Sequence, residues 1–548
     1  MSADLPHPQR QPRRRAVQSR RRGGRAAARR LGSNRDLFPV MGDMETVPRH
    51  GERRDLAPCN TLHFRPEGAL VGDAAFFSRG EECHIFYLSN RLDTPPRLPR
   101  CQLDHAVSTD LLHWEGLPPA LLPGDPGAPD DDGIGGPTIV QDGEAYQMFY
   151  AGTNPQVIYR ARSDDLVAWE KDDPLKPVIA PDPRWYVPHD APVEDPYLLT
   201  AWRDPFLFYD DAGEQYVMLT TARLNHGPLW ERGCVAWTVS KDLKSWQVKP
   251  PLYSPGIGAA LEVTEIFKMG ERYYLVFCHG ETNTTRYRIA ERLEGPYRRP
   301  ADDILLPNYM YAPRTAVIRG ERYLIPWVAD RIGGTDDYQP EWGGEGYAWG
   351  GALGTPQHIR TLPGGGIGLF YPQLVDRLAG EALLDPNLLA QTRAGRGVWK
   401  GVSGKLSASS DQGLARSMLA TGGRDFILSC EVTVKRGAAA GLILRGSATG
   451  EAGYFLRLEP DAGVVALWRY PRPWVVSRPL AMKITPDLDY NRPMELKVLL
   501  HRHVLDTYLN DRLVISRAVH DYKEGRFGFF VEDAEAEFAA LAASELRE

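Results

Sequence analysis

The chain has 548 residues, 43% hydrophobic and 10% aromatic, with a formal net charge of -6. That length exceeds one ordinary core, so a large domain plus at least one further unit is expected, and with no nucleic-acid-binding motif beside the basic N-terminal arginines no nucleic-acid partner is expected. No run of about 18 apolar residues is present, which excludes a helical membrane span from the expectation.

Residues 1–55 read as a disordered arm. Ten arginines lie between Arg10 and Arg30 against one acid, Asp4, and no aromatic residue interleaves them. A secretory signal needs an apolar stretch of roughly seven to fifteen residues after its basic segment, and none follows Arg30. The expectation is a cytoplasmic protein, with Met41 or Met44 as alternative starts. Cys59, Cys83, Cys101, Cys234, Cys278 and Cys430 form no C-x-x-C pair, so reduced, buried thiols are expected and no metal or other cofactor.

From residue 56 a repeat sets the organisation. The frame S-x-D-L-x-x-W occurs at Ser108–Trp114, Ser163–Trp169 and Ser240–Trp246, each time after an alternating strand, so Ser and Asp are expected to close a turn. Aromatic strands recur five times, beginning at Ile85, Gln147, Tyr216, Tyr273 and Tyr323. Each follows a Gly-Glu pair: Gly80 and Glu81, Gly143 and Glu144, Gly213 and Glu214, Gly270 and Glu271, Gly320 and Glu321. Strand, tight turn and aromatic strand make a hairpin, and spacings of about 50 to 70 residues suit blades of four short strands. The fold class expected is all-β: a five-bladed β-propeller over 56–375, a linker over 376–394, and a C-terminal β-sandwich over 395–548.

Counting back from the aromatic strands places Asp73, Asp204 and Glu262 in one register position, with Gly135 and Tyr311 there in the other two blades. Innermost strands line a propeller's axis, so three carboxylates are expected at one mouth of the channel. Carboxyls gathered there split their pKa values, which lets one stay protonated beside an ionised neighbour, as glycoside hydrolysis requires. Glu265 is the alternative to Glu262. Residues three apart on a regular strand face opposite sides, so only one is expected to enter the funnel.

These segments resemble glycoside hydrolase family 32, the β-fructofuranosidase, invertase and levanase group, related to families 43 and 68. The carriers are Gly72 and Asp73 before the strand at His84, the R-D-P triplet Arg203, Asp204 and Pro205, the segment from Glu262 to Phe267, Tyr311 with Pro313, and Trp349 with Gly350. The resemblance implies Asp73 as nucleophile, Asp204 as transition-state stabiliser and Glu262 as general acid/base. It also implies Arg203, Asp104, His105, Tyr311 and Trp349 as substrate-binding residues, and a small carbohydrate as partner. Oligomeric state is left open. Asp93 and the run Asp130, Asp131 and Asp132 read as solvated loop acids, with the funnel rim as the alternative.

Departures cluster at the nucleophile. The family's W-M-N-D-P-N-G stands here as Ala69 to Ala75, so Gly72 replaces the Asn before the nucleophile. Leu88 replaces a Gln, and Gly135, Gly136 and Pro137 replace Ser-Gly-Ser. The main expectation is a retaining glycosidase on terminal β-fructofuranosides. Alternatives are an arabinofuranosidase or xylosidase on the same propeller, and a carbohydrate-binding protein without turnover. In the sandwich, His501 and His503 occupy i and i+2. A metal pair is one reading, and a surface or inter-domain role is the preferred one.

Overall fold

The computed structural model describes residues 58–92, 101–153, 155–172, 176–191, 201–307, 310–331, 336, 347–385, 396–402, 404–471 and 478–547. The basic arm and Asp93 lie outside the described residues.

Four-stranded antiparallel units follow one another. The first is β1 (Ala69–Arg79), β2 (Glu82–Arg91), β3 (Gln102–Ser108) and β4 (Glu115–Leu121). The second is β5 (Ile134–Asp142), β6 (Ala145–Gly152), β7 (Ile158–Ser163) and β8 (Glu170–Lys171). The third is β9 (Trp202–Asp210), β10 (Gln215–Arg223), β11 (Gly233–Ser240) and β12 (Gln247–Val248). The fourth is β13 (Leu261–Met269), β14 (Arg272–His279), β15 (Thr284–Ala290) and β16 (Ile304–Leu306). In the fifth, β17 (Met310–Ile318) and β18 (Glu321–Arg331) are followed by a third strand in two pieces, β19 (Tyr347–Leu353) and β20 (Gln357–Thr361), and by β21 (Ile367–Phe370). The innermost strands meet in a ring: β1 packs on β5, β5 on β9, β9 on β13, β13 on β17, and β17 on β1. This is a five-bladed propeller, closed without a free inner edge.

Alternation along the second strands explains the closure. Met218 points to blade two and packs with Phe149, while Val217 and Leu219 point to blade four and pack with Ile266 and Leu275. Five apolar clusters of this kind fill the five gaps between blades. The repeated S-x-D-L-x-x-W frame is the turn expected. In the first copy, Asp110 accepts the backbone N–H groups of Leu112 and His113, and the buried Leu111 takes a positive φ of 62°. In the other copies Asp165 accepts the N–H groups of Val167 and Ala168, and Asp242 those of Lys244 and Ser245, while Leu166 and Leu243 again take a positive φ. Gly80, Gly143, Gly270 and Gly320 turn four of the hairpins in the left-handed region.

A short 3-10 turn, Gln373–Leu378, leads to β22 (Ala379–Ala382), β23 (Val398–Val402), β24 (Lys405–Gly422), β25 (Phe426–Gly446), β26 (Gly453–Glu459), β27 (Val464–Tyr470), β28 (Ala481–Ile484), β29 (Met494–His501), β30 (Val504–Leu509), β31 (Arg512–Ala518) and β32 (Arg526–Leu546). Two long strands serve both layers. The first half of β25 pairs with β29, its second half with β26, and β32 runs beside it throughout. The register shifts at three places, between Ser429 and Glu431, Val434 and Arg436, and Ile443 and Gly446, and the middle shift lies where β25 passes from its β29-paired half to its β26-paired half. The result is a sandwich around one large apolar core. Within the stretch expected as linker, Ala379–Ala382 is instead a strand, because its backbone finds partners on β32 at Leu546 and Ser544.

Candidate active site

All five innermost strands carry a β-bulge at the same depth. Two residues oppose one: Gly72 and Asp73 across from Leu88, Gly135 and Gly136 from Ala151, Asp204 and Pro205 from Thr220, Val263 and Thr264 from Phe277, Ala312 and Pro313 from Pro326. Bulges re-aim side chains, and here they do so at one end of the funnel. The frame corrects the register count. Glu262 and Tyr311 precede the bulge, Asp204 and Gly135 are its first residue, and Asp73 is its second. The carboxylates thus occupy three successive positions, not one, and still converge.

Each acid has its own donors. Asp73 Oδ1 accepts the indole N–H of Trp327 at 2.9 Å. Asp204 Oδ2 accepts Thr221 Oγ1 at 2.8 Å and the Val263 N–H at 3.3 Å, with Arg203 Nε 3.6 Å away. Val263 holds a φ of 50°, a strained value for a β-branched residue, and this conformation directs its N–H to Asp204. Glu262 receives Arg203 Nη2 on one oxygen and the Tyr311 hydroxyl on the other. Arg203 also donates to Gln156 at 3.1 Å. Beneath them the buried Arg314 donates to the carbonyls of Asp204 at 3.1 Å, Pro205 at 3.3 Å, and Thr264. Bulging frees these carbonyls from their ladders, and one guanidinium satisfies both bulges.

The protonation states are driven apart. Burial, then the neighbouring Asp204, pushes the Asp73 carboxyl up to about 7. Burial acts the same way on Glu262, but Arg203 and the Tyr311 hydroxyl outweigh it and hold that carboxyl below its ordinary range. Burial and the Glu262 charge push the Tyr311 hydroxyl well up. Of the two carboxyls, Asp73 is thus the one that holds a proton and Glu262 the one that gives it up.

The two candidate glutamates separate. Because of the bulge, Glu262 and Glu265 pair with Cys278 and Val276, two apart on β14, so they share a face instead of opposing each other. Both reach β17, at different depths. Glu262 meets Tyr311 near the funnel mouth, whereas Glu265, 2% exposed, accepts the Thr315 N–H at 2.9 Å and sits 3.7 Å from Arg322.

Trp349 lies against Trp327, with ring centroids 5.9 Å apart, and its indole fills the space beside Gly72. A Cβ on Gly72 would fall 2.0 Å from that ring, so the family's Asn has no room here. His105 is not brought to the cluster. It is buried, stacks on Phe86 at 4.2 Å and pairs with His84 at 2.9 Å, because its strand, β3, stands two places out from the axis. Asp104, on the same strand, accepts Gln102 at 2.6 Å and lies opposite Tyr87. Asp130 is buried against Lys171 and Tyr150. Trp327, Thr221, Arg314 and Gln156 went unnoticed in the sequence. Trp327 alone had a readable signal, since it ends the fifth aromatic strand. Among the described residues no group of three or more His, Cys, Asp or Glu is placed to hold a metal, and no helix is long and apolar enough to cross a membrane.

Known proteins share this architecture. The chain is 25% identical over 360 residues to the β-fructofuranosidase cell wall isozyme of Zea mays, covering 59% of this chain and 56% of that one. It is 23% identical over 308 residues to the sucrose-6-phosphate hydrolase of Vibrio alginolyticus, covering 52% and 59%. The match thus spans a little over half the length of these relatives. Among solved structures, fructan 1-exohydrolase IIa of Cichorium intybus superposes with a TM-score of 0.65 at 15% identity, covering 90% of this chain and 98% of that one. Sucrose-6-phosphate hydrolase of Lactobacillus gasseri gives 0.64 at 16%, covering 90% and 94%. These structural likenesses carry the propeller and sandwich fold. The model of the glycosyl hydrolases family 32 N-terminal domain matches residues 63–365, more than half of the chain, and the chain therefore belongs to that family.

Proposed function

We propose that the chain is a retaining glycosidase that cleaves terminal β-fructofuranosides without a cofactor. The observation that carries the reading is the convergence of three carboxylates from three bulged strands on one funnel mouth, with their proton preferences split. Relatives named for β-fructofuranoside and sucrose-6-phosphate hydrolysis support the substrate class.

Asp73 attacks the anomeric carbon and forms a fructosyl ester. Glu262 gives its proton to the departing oxygen, then takes one from the water that hydrolyses the ester. Asp204, fixed by Thr221 and the Val263 N–H, accepts hydroxyl donors of the bound sugar. Arg203 and Tyr311 hold Glu262, and Trp349 offers an apolar face beside Asp73. Asp73 must be ionised and Glu262 protonated when the bond breaks. The free site prefers the reverse, so sugar binding has to draw Arg203 from Glu262 and let the proton cross. A cytoplasmic setting, in which the six buried thiols stay reduced, belongs to the same proposal.

A release screen with fructosides, arabinofuranosides and xylosides, run beside an Asp73→Ala control, tests the reading. Fructose release that the control loses is the expected result. Release of arabinose or xylose instead, or of no sugar at all, overturns it.

A further inference from the structure

The histidines singled out in the sandwich sit at its seam with the propeller. His63 belongs to the segment before β1, bridged between Cys59 and Arg65, while His501 and His503 flank the β29–β30 turn. His63 and His501 are each 1% exposed, and their Nδ1 atoms lie 3.1 Å apart, one hydrogen bond joining the two domains.

The surrounding bonds assign the protons. With Asp506 ionised and drawing the Thr355 hydroxyl proton, the 3.0 Å contact between Thr355 Oγ1 and His63 Nε2 takes its proton from His63. A neutral His63 then accepts at Nδ1, and His501 donates from its own Nδ1. His501 Nε2 is buried and has no hydrogen-bond partner among the described residues. Protonating His63 sets two N–H groups against each other. Protonating His501 buries a charge at an atom with nothing to accept it.

Neighbouring charges deepen both penalties. From β25 and the loops, Arg445 and Arg502 face His501, Arg65 and Arg502 face His503, and His503 and Arg502 act on His63. The one carboxylate acting on His501, Asp425, accepts the Arg502 N–H and lies 3.6 Å from Arg445. His520 stacks on His503 at 5.4 Å, and its backbone N–H is taken by Asp336, a propeller residue. Asp506, held by Ser516 and Gln357, acts in the opposite sense, because burial raises it to about 6 against those donors, so the folded chain takes up a proton there on acidification.

We propose that the His63–His501 contact is an acid-sensitive latch, in which neutral imidazoles hold the sandwich on the propeller and protonation releases it. Burial, reinforced by the surrounding cations, lowers His63, His501 and His503 in the folded chain, His501 to about 4. For groups lowered on folding, the unfolded or opened state binds more protons as pH falls below the free histidine value. Seam stability is therefore full at neutral pH and lost on acidification.

The test compares the wild type with the double variant His63→Asn and His501→Asn, whose amides keep a pH-independent bond. Urea unfolding is followed at several pH values. The wild type should take up roughly two more protons on unfolding near pH 5.5 than the variant does, since the other carboxylates titrate in both. Equal pH slopes overturn the latch. Should the variant misfold, hydrogen exchange on the wild type decides, after correction for intrinsic rates. Peptides spanning 58–68 and 494–519 should lose at least about tenfold protection between pH 7.5 and 5.0, ahead of the blade cores. Unchanged protection there refutes the proposal.

Discussion

Trp327 of the fifth blade donates its indole N–H to Asp73 of the first, at 2.9 Å across the closure of the ring. The bond favours the ionised form of Asp73 against burial and against the charge on Asp204. Trp327→Phe keeps most of the packing and removes the donor. The expected result is a further rise in the Asp73 pKa and a loss of about tenfold in kcat/KM, an interaction of roughly 1.4 kcal/mol. A pH–rate profile reads both effects. In the wild type kcat/KM should fall as pH rises through about 7, where the carboxyl pair loses its proton, and in the variant that limb should move upward.

Asp73 also marks where function opposes stability. Its folded pKa is raised, so its contribution to stability is intact below the free carboxyl value and is lost as pH rises toward about 7. Asp73→Asn removes this dependence. The variant should match the wild type near pH 4 and exceed it at pH 8, by roughly 1–3 kcal/mol, while losing turnover by about 10⁴-fold. Urea denaturation at the two pH values checks it.

The two glutamates should respond in opposite ways. Glu262→Gln is expected to lose turnover of natural fructosides while retaining only the first, ester-forming step on substrates whose leaving group needs no proton, and added azide, which needs no general base to attack the ester, should restore part of the turnover. Glu265→Gln should keep kcat/KM within a few fold and cost about 1–3 kcal/mol of stability, because Thr315 and Arg322 lose a buried charged partner. Kinetics together with thermal unfolding distinguish the pair.

Two glycines of the bulges give a steric contrast. Gly72→Ala would place its Cβ 2.0 Å from Trp349, forcing the indole away from Asp73, and should lower kcat/KM at least tenfold with a measurable loss of stability. Gly136→Ala meets Asp73 Cβ at 3.8 Å and Asp204 Oδ1 at 3.9 Å, ordinary contact distances in the funnel. It should leave the thermal midpoint unchanged and raise KM.

Much of this was legible in the sequence because it repeats. The S-x-D-L-x-x-W frame and the five Gly-Glu hairpins count blades, since each is a local turn whose chemistry is complete within a few residues. The bulges were not legible. They are set by the pairing of two strands, and a count along one strand misses the added residue. That is why Asp73, Asp204 and Glu262 read as one register position and why Glu262 and Glu265 seemed to face apart. His105 misled for a related reason: its phrase resembles the family's, but the strand's distance from the axis is a property of the sheet. Trp327 and Arg314 act across blades, and nothing in the local text marks a partner some 110 to 250 residues away.

The covalent intermediate tests the central claim most directly. Glu262→Gln, mixed with a fructoside carrying an activated leaving group, should accumulate the ester, and peptide mass spectrometry should find one fructosyl group on the peptide containing Asp73. An adduct on another residue, or steady turnover by an enzyme in which Asp73 is never modified, would contradict the account.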